Sequence, residues 1–248
     1  IDEDFWSEAS VVRIVGAHAR SVRDLQITGD RIGLLAEEGE LSVEGVWIAG
    51  PKVIGLHGHS KTGSLHIEAE GLVATEIRSS QAHAAPGILG LPPNPWGYGI
   101  RIQQVDDPEV TLSASLSRVW TGDTGTTGLT LFGTRDAERT TPQYVLSDIV
   151  SEGAGQDVFG GAGLSIDGTT AELTMLYVRG FSGWYGLSVA SSEVTAEKVL
   201  IEDGAGMAGV LVQDDGTAGQ RSQVTLSDVR IRNISPPPES FNPGIFGL

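Results

Sequence analysis

The stretch GLSVASSEVTAEKVLI, residues 186–201, holds two short patterns in succession. The first is a glycine followed by an alternating apolar strand, GLSVA (186–190). The second is an apolar residue, two mostly polar positions, then apolar–any–apolar, as in AEKVLI (196–201). Both recur along the chain. The second reads VRDLQI (22–27), VEGVWI (43–48), AEGLVA (69–74), LSRVWT (116–121), LSDIVS (146–151) and LSDVRI (226–231), with MLYVRG (175–180) as a poorer copy. The Gly-led pattern reads GLLAE (33–37), GLHGH (55–59), GIRIQ (99–103), GLTLF (128–132), GLSID (163–167), GVLVQ (209–213) and GIFGL (244–248).

Eight pairs therefore run in register, and only the connecting loops vary in length. Every unit alternates with the period of a strand, and no stretch carries a helical period. A unit of short strands joined by Gly-rich bends cannot bury its apolar face alone. Stacked on its neighbours, it pairs each strand with the equivalent strand before and after it. The expectation is an all-β chain, a right-handed parallel β-helix of about eight coils, forming a single domain over 1–248. A sandwich does not repeat the same pair of strands eight times.

Stretches such as VTLSDVRIRNIS (224–235) and GLSVASSEVTAEKVLIEDGAGMAGVLV (186–212) resemble the right-handed parallel β-helix proteins of the pectin-lyase-like superfamily. The likeness is greatest to the repeat regions of large exported bacterial surface proteins. It implies a fold and a secreted or cell-surface location. It does not imply an activity, since that superfamily holds lyases, hydrolases, epimerases, adhesins and inert stalks.

Composition narrows the function classes. With 16 basic against 32 acidic residues the net charge is −16, which disfavours nucleic acid and anionic membranes as partners. The absence of cysteine removes disulfides, zinc–thiolate sites and thiol nucleophiles. No run of eighteen apolar residues is present to span a membrane.

In each Gly-led strand the residue after Gly is Leu, Ile or Val and faces the core, so the next residue faces out. One outward column then reads Leu35, His57, Arg101, Thr130, Ser165, Ser188, Leu211 and Phe246. The other reads Glu37, His59, Gln103, Phe132, Asp167, Ala190, Gln213 and Leu248. His57 and His59 share a face with Glu37 before them and Arg101 and Gln103 after them. Three readings of this cluster stay open. It is a solvated polar face with pairs such as Glu37–His59. Or it is a saccharide or enzyme site, with His57, His59, Arg101 and Glu37 as candidate catalytic groups and Arg101 fixing a sugar carboxylate. Or His57 and His59 hold a zinc ion, although no third ligand is evident.

A long insertion over 75–98 ends in PNPWGY, directly before the strand carrying Arg101. Loops of that length are often functional, and this one would bring Trp96 and Tyr98 beside the histidines. Candidate saccharide-binding residues are thus Arg101, Gln103, Trp96, Tyr98 and Asp167. Glu37 and Asp167 are four strands apart, about 19 Å, too far for a glycosidase pair. The expected function is a rigid structural module, with glycan binding on its long face. The alternative is a polysaccharide lyase, hydrolase or epimerase.

Trp47 and Trp120 share an outward position with Val73 between them, followed by Val150, Arg179, Leu200 and Arg230. An apolar stripe covered by loops is expected there. QDDGTAGQ (213–220) lacks the spacing of known calcium loops, and Asn233 opens an NIS sequon. At the ends, residues 1–10 are expected to cap the first unit. The last strand, GIFGL, is expected to be an open edge at which the chain self-associates.

Overall fold

The computed structural model describes residues 10–16, 18–29, 31–60, 63–78, 97–104, 110–133, 143–156, 161–214 and 221–236. Among them every regular element is a strand, and every strand pairing is parallel. The first sheet runs Ser10–Ile14, Ile32–Ala36, Ile54–Ser60, Tyr98–Gln104, Leu129–Phe132, Ala162–Asp167, Tyr185–Ala190 and Ala208–Gln213. The second runs Arg20–Arg23, Gly39–Glu44, Leu65–Glu70, Leu112–Thr124, Tyr144–Ala154, Thr170–Arg179, Glu193–Glu202 and Gln223–Arg232. Three short strands, Gln26–Thr28, Trp47–Ala49 and Val73–Thr75, extend it on its early side. Spatial order follows chain order in both sheets. Parallel neighbours require a crossover, and here each crossover passes through the other sheet. The arrangement is compatible with a parallel β-helix.

Inside the first sheet, Leu34, Leu56, Ile100, Leu129, Leu164, Leu187 and Val210 stand opposite one another in unbroken register. They belong to one apolar core, with only Val210 of the seven partly open. The glycine before each is required by contact rather than by dihedral angle, since none of these glycines has positive φ. They face inward at a corner where the two sheets converge. A Cβ on Gly163 would stand 2.3 Å from Val178 Cγ1 and 2.7 Å from the carbonyl oxygen of Gly186. The same crowding meets Gly33, Gly55, Gly99, Gly128, Gly186 and Gly209.

The second pattern has a different origin. Its third residue is left-handed in every unit: Asp24, Gly45, Gly71, Arg118, Asp148, Met175, Lys198 and Asp228, with φ between 47° and 71°. One left-handed residue bends the strand so that two consecutive residues face out and both flanking residues face in. That bend explains the paired polar positions of the repeat. The amide nitrogens of Asp24, Gly45 and Gly71 still donate to the next unit, so the bend keeps the ladder intact.

Several sequence readings are corrected. The poorer copy is out of register by two: Leu173 and Leu176 stand opposite Leu146 and Ile149, so the unit is LTMLYV (173–178), with Met175 at the bend. Tyr177, and not Arg179, therefore occupies the column of Trp47 and Trp120. Ser10–Ile14 is an additional first-sheet strand without a leading glycine, so residue 10 belongs to the sheet and not to a cap. Residues 75–78 belong to the repeat: Val73–Thr75 is a strand, Glu76 takes the left-handed bend at φ 58°, and Ile77 joins the core. Trp96, most of the insertion, residues 1–9, most of QDDGTAGQ and the GIFGL stretch that was expected to form an open edge lie outside the described residues.

Candidate functional site

The strands carry the histidine cluster in the expected register. His57 stands opposite Leu35 and Arg101, His59 opposite Gln103, and Gln103 opposite Phe132. Asp167 lies beside Phe132, two strands beyond Gln103. Exposure, however, differs from expectation. His57 is only 2% exposed, and Leu35 and Thr130 in the same outward column are also buried. Leu35 belongs to a second apolar cluster with Ile32, Val53 and Ile54, against which Tyr98 packs. The outward face of the early first sheet is thus a small core of its own, not a solvated polar surface.

Burial dictates the chemistry of these groups. Desolvation, reinforced by the charge of Arg101 and then by His59, holds His57 well below the ordinary imidazole value. It is neutral at physiological pH. Its ring lies 5.5 Å from that of His59. Arg101 sits with its guanidinium 4.8 Å from the Tyr98 ring centre and 5.4 Å from that of Phe132. Its Nε and Nη2 both donate to Gln103 Oε1, at 3.1 and 2.8 Å. Burial also lowers the proton affinity of Arg101. Tyr98 thus stacks on the arginine beside it. Glu37 forms a 2.6 Å ion pair with Arg13 instead of turning to His59. Sequence placed these side chains in the right columns but did not foresee that they clasp one another. Among the described residues, no group of three or more His, Cys, Asp or Glu is arranged to hold a metal ion.

The Trp column is the opposite case. Trp47 and Trp120 both pair across Val73, and they are 50% and 36% exposed, so the stripe is open where loops were expected to cover it. Trp120 lies over Gly122, whose Cβ would stand 3.2 Å from Cζ2 of the ring. A shallow groove of about 290 Å³ begins at Trp120 and continues past Asp123, Glu152 and Arg179 over the backbone of Gly122, Gly153 and Gly180. From the groove onward Glu152, Arg179, Glu202 and Arg232 stand opposite one another in turn, with alternating charge. Tyr177 donates to Glu202 at 2.6 Å, and Arg232 donates to the same carboxylate. These bonds, the Tyr177 bond foremost, keep Glu202 below the usual carboxyl value. The small residues two positions after each tryptophan, Ala49 and Gly122, are the sequence signal that could have marked this face.

No known family model, curated protein or solved structure matches the chain. The described residues hold no helix long and apolar enough to cross a membrane.

Proposed function

We propose that this chain is a right-handed parallel β-helix of about eight coils, like those of the pectin-lyase-like superfamily. It serves as a rigid module of a secreted or surface-exposed bacterial protein, structural first and saccharide-binding second. The observation that carries this reading is the unbroken inner column from Leu34 to Val210, one apolar residue per unit without a slip. Stacking of that regularity gives a stiff element in which each unit leans only on its neighbours. The net charge of −16 keeps such a surface soluble and away from polyanions.

The enzymatic alternative, a lyase, hydrolase or epimerase working at His57, His59, Arg101 and Glu37, has less support. Its central imidazole is buried, its guanidinium is bonded to Gln103, and its carboxylate is paired with Arg13. Small-angle scattering joined to a glycan array and a polysaccharide-degradation panel tests the reading. A rod-like particle that binds a glycan without releasing reducing ends or unsaturated products is expected. A compact isometric particle, or product release abolished by Arg101→Ala, would overturn it.

A further inference from the structure

We infer that the open face holding Trp47 and Trp120 binds an extended, neutral, β-linked polysaccharide laid along the strand-stacking direction. The inference rests on the module reading only for the regular stacking that fixes the spacing of the two residues along the stack.

Trp47 and Trp120 occupy one outward column with a single strand between them. Two strand spacings place them about 9.6 Å apart along the stack. That is comparable to one disaccharide of an extended β-linked chain, in which every second ring presents the same face. The small side chain of Val73 separates them, leaving room for the intervening sugar. At Trp120 the six-membered ring lies against Gly122, where a Cβ would stand 3.2 Å from Cζ2, and the residue is still 36% exposed. A flat, exposed, rigid aromatic surface fits the apolar C–H face of a pyranose and loses little side-chain entropy on binding.

The rest of the groove suits the hydroxyl rim of a sugar. It is lined by Gly122, Gly153 and Gly180 together with Asp123, Glu152 and Arg179. Arg179 lies 3.9 Å from Glu152 and 3.4 Å from Asp203, so its charge is balanced locally. Two carboxylates against one guanidinium in the groove, on a chain of net charge −16, repel an acidic polysaccharide. A protein partner fits less well, because the core of a protein interface is depleted of charge and here carboxylates adjoin the aromatic stripe directly.

The test is affinity electrophoresis and calorimetry on the whole chain with cellobiose, cellohexaose, a soluble neutral β-glucan, dextran and polygalacturonate. Cellohexaose and the β-glucan should bind, cellobiose far less, and dextran and polygalacturonate not at all. Trp120→Ala should weaken binding roughly tenfold or more, and Trp47→Ala with Trp120→Ala should abolish it. Trp120→Phe and Gly122→Val guard against misfolding: the first should keep part of the affinity and the second should lose it by propping up the ring. Circular dichroism and melting should be unchanged in the tryptophan variants. No binding of any neutral polymer, binding indifferent to both tryptophans, or preference for polygalacturonate would overturn the inference. A rod-like scattering profile in that event would leave the module reading standing. A compact particle would sink that reading separately.

Discussion

Gly163 and Val178 meet across the core so closely that a Cβ on the glycine would stand 2.3 Å from Val178 Cγ1. The leading glycine of each Gly-led strand of the first sheet thus marks a point of contact between the two sheets. Gly163→Ala should cost about 2–3 kcal/mol of stability through overpacking, read as an earlier denaturation midpoint. Adding Val178→Ala should restore part of the loss, because the two sites share one contact. The restoration stays partial, since the Gly186 carbonyl oxygen also opposes a Cβ at 2.7 Å. A neutral Gly163→Ala would show that the sheets do not converge there.

Met175 holds the left-handed bend of its unit at φ 71° while 45% exposed. Its side chain contributes little burial there, and its backbone bears the cost that a Cβ brings in this conformation. Met175→Asn or Met175→Gly should therefore raise stability by about 0.5–1 kcal/mol. Met175→Ala should gain nothing, because alanine keeps the Cβ. Equal effects of all three on thermal midpoints would remove the bend from the account.

His57 gives the fold a pH dependence of known sign. Its native value is depressed, so the unfolded chain takes up a proton that the native state refuses. Stability then falls as pH drops through the unfolded value near 6.5, by up to about 1.4 kcal/mol per pH unit. Glu202, whose native value is also lowered, loses its contribution only further down, as pH falls through the carboxyl range. His57→Leu, placed beside Leu35, should flatten the stability profile between pH 7 and 5. An unchanged slope in denaturant titrations across that window would contradict the burial of the imidazole.

Arg101 is expected to act as structure. Arg101→Ala removes a guanidinium stacked on Tyr98 and Phe132 and bonded to Gln103, and should cost about 1–2 kcal/mol. Arg101→Lys should recover only part, since an ammonium cannot both stack on two rings and donate twice to one oxygen. A melting temperature indifferent to Arg101→Ala would return this residue to the list of exposed binding groups.

Among the described residues the strand pairs, their order and their inward columns were legible in the sequence, because a repeat with one glycine and one bend per unit leaves few registers open. Two things were not. Met175 hid its unit, since a long apolar side chain at a left-handed position reads as a core residue and drew the alignment two places along. The outward face was read by alternation alone, and alternation says which way His57 points but not what lies over it. Leu35 beside His57 was the available warning: an apolar residue in an outward column signals a second covered surface. At Trp47 and Trp120 the same logic erred in reverse, where apolar residues in an outward column proved open.

Disulfide mapping is the most direct measure of the central claim, that equivalent strands stack in parallel and in the stated register. The chain has no cysteine, so introduced pairs report without interference. Ser165 stands opposite Ser188 in the first sheet, and Thr195 opposite Thr225 in the second. Neighbouring parallel strands at about 4.8 Å lie within disulfide reach. Ser165→Cys with Ser188→Cys, and Thr195→Cys with Thr225→Cys, should close rapidly on mild oxidation. Thr195→Cys with Ser227→Cys, displaced by one pleat, should not. Rapid closure of the displaced pair, or failure of both register pairs, would contradict the stacking on which the whole account rests.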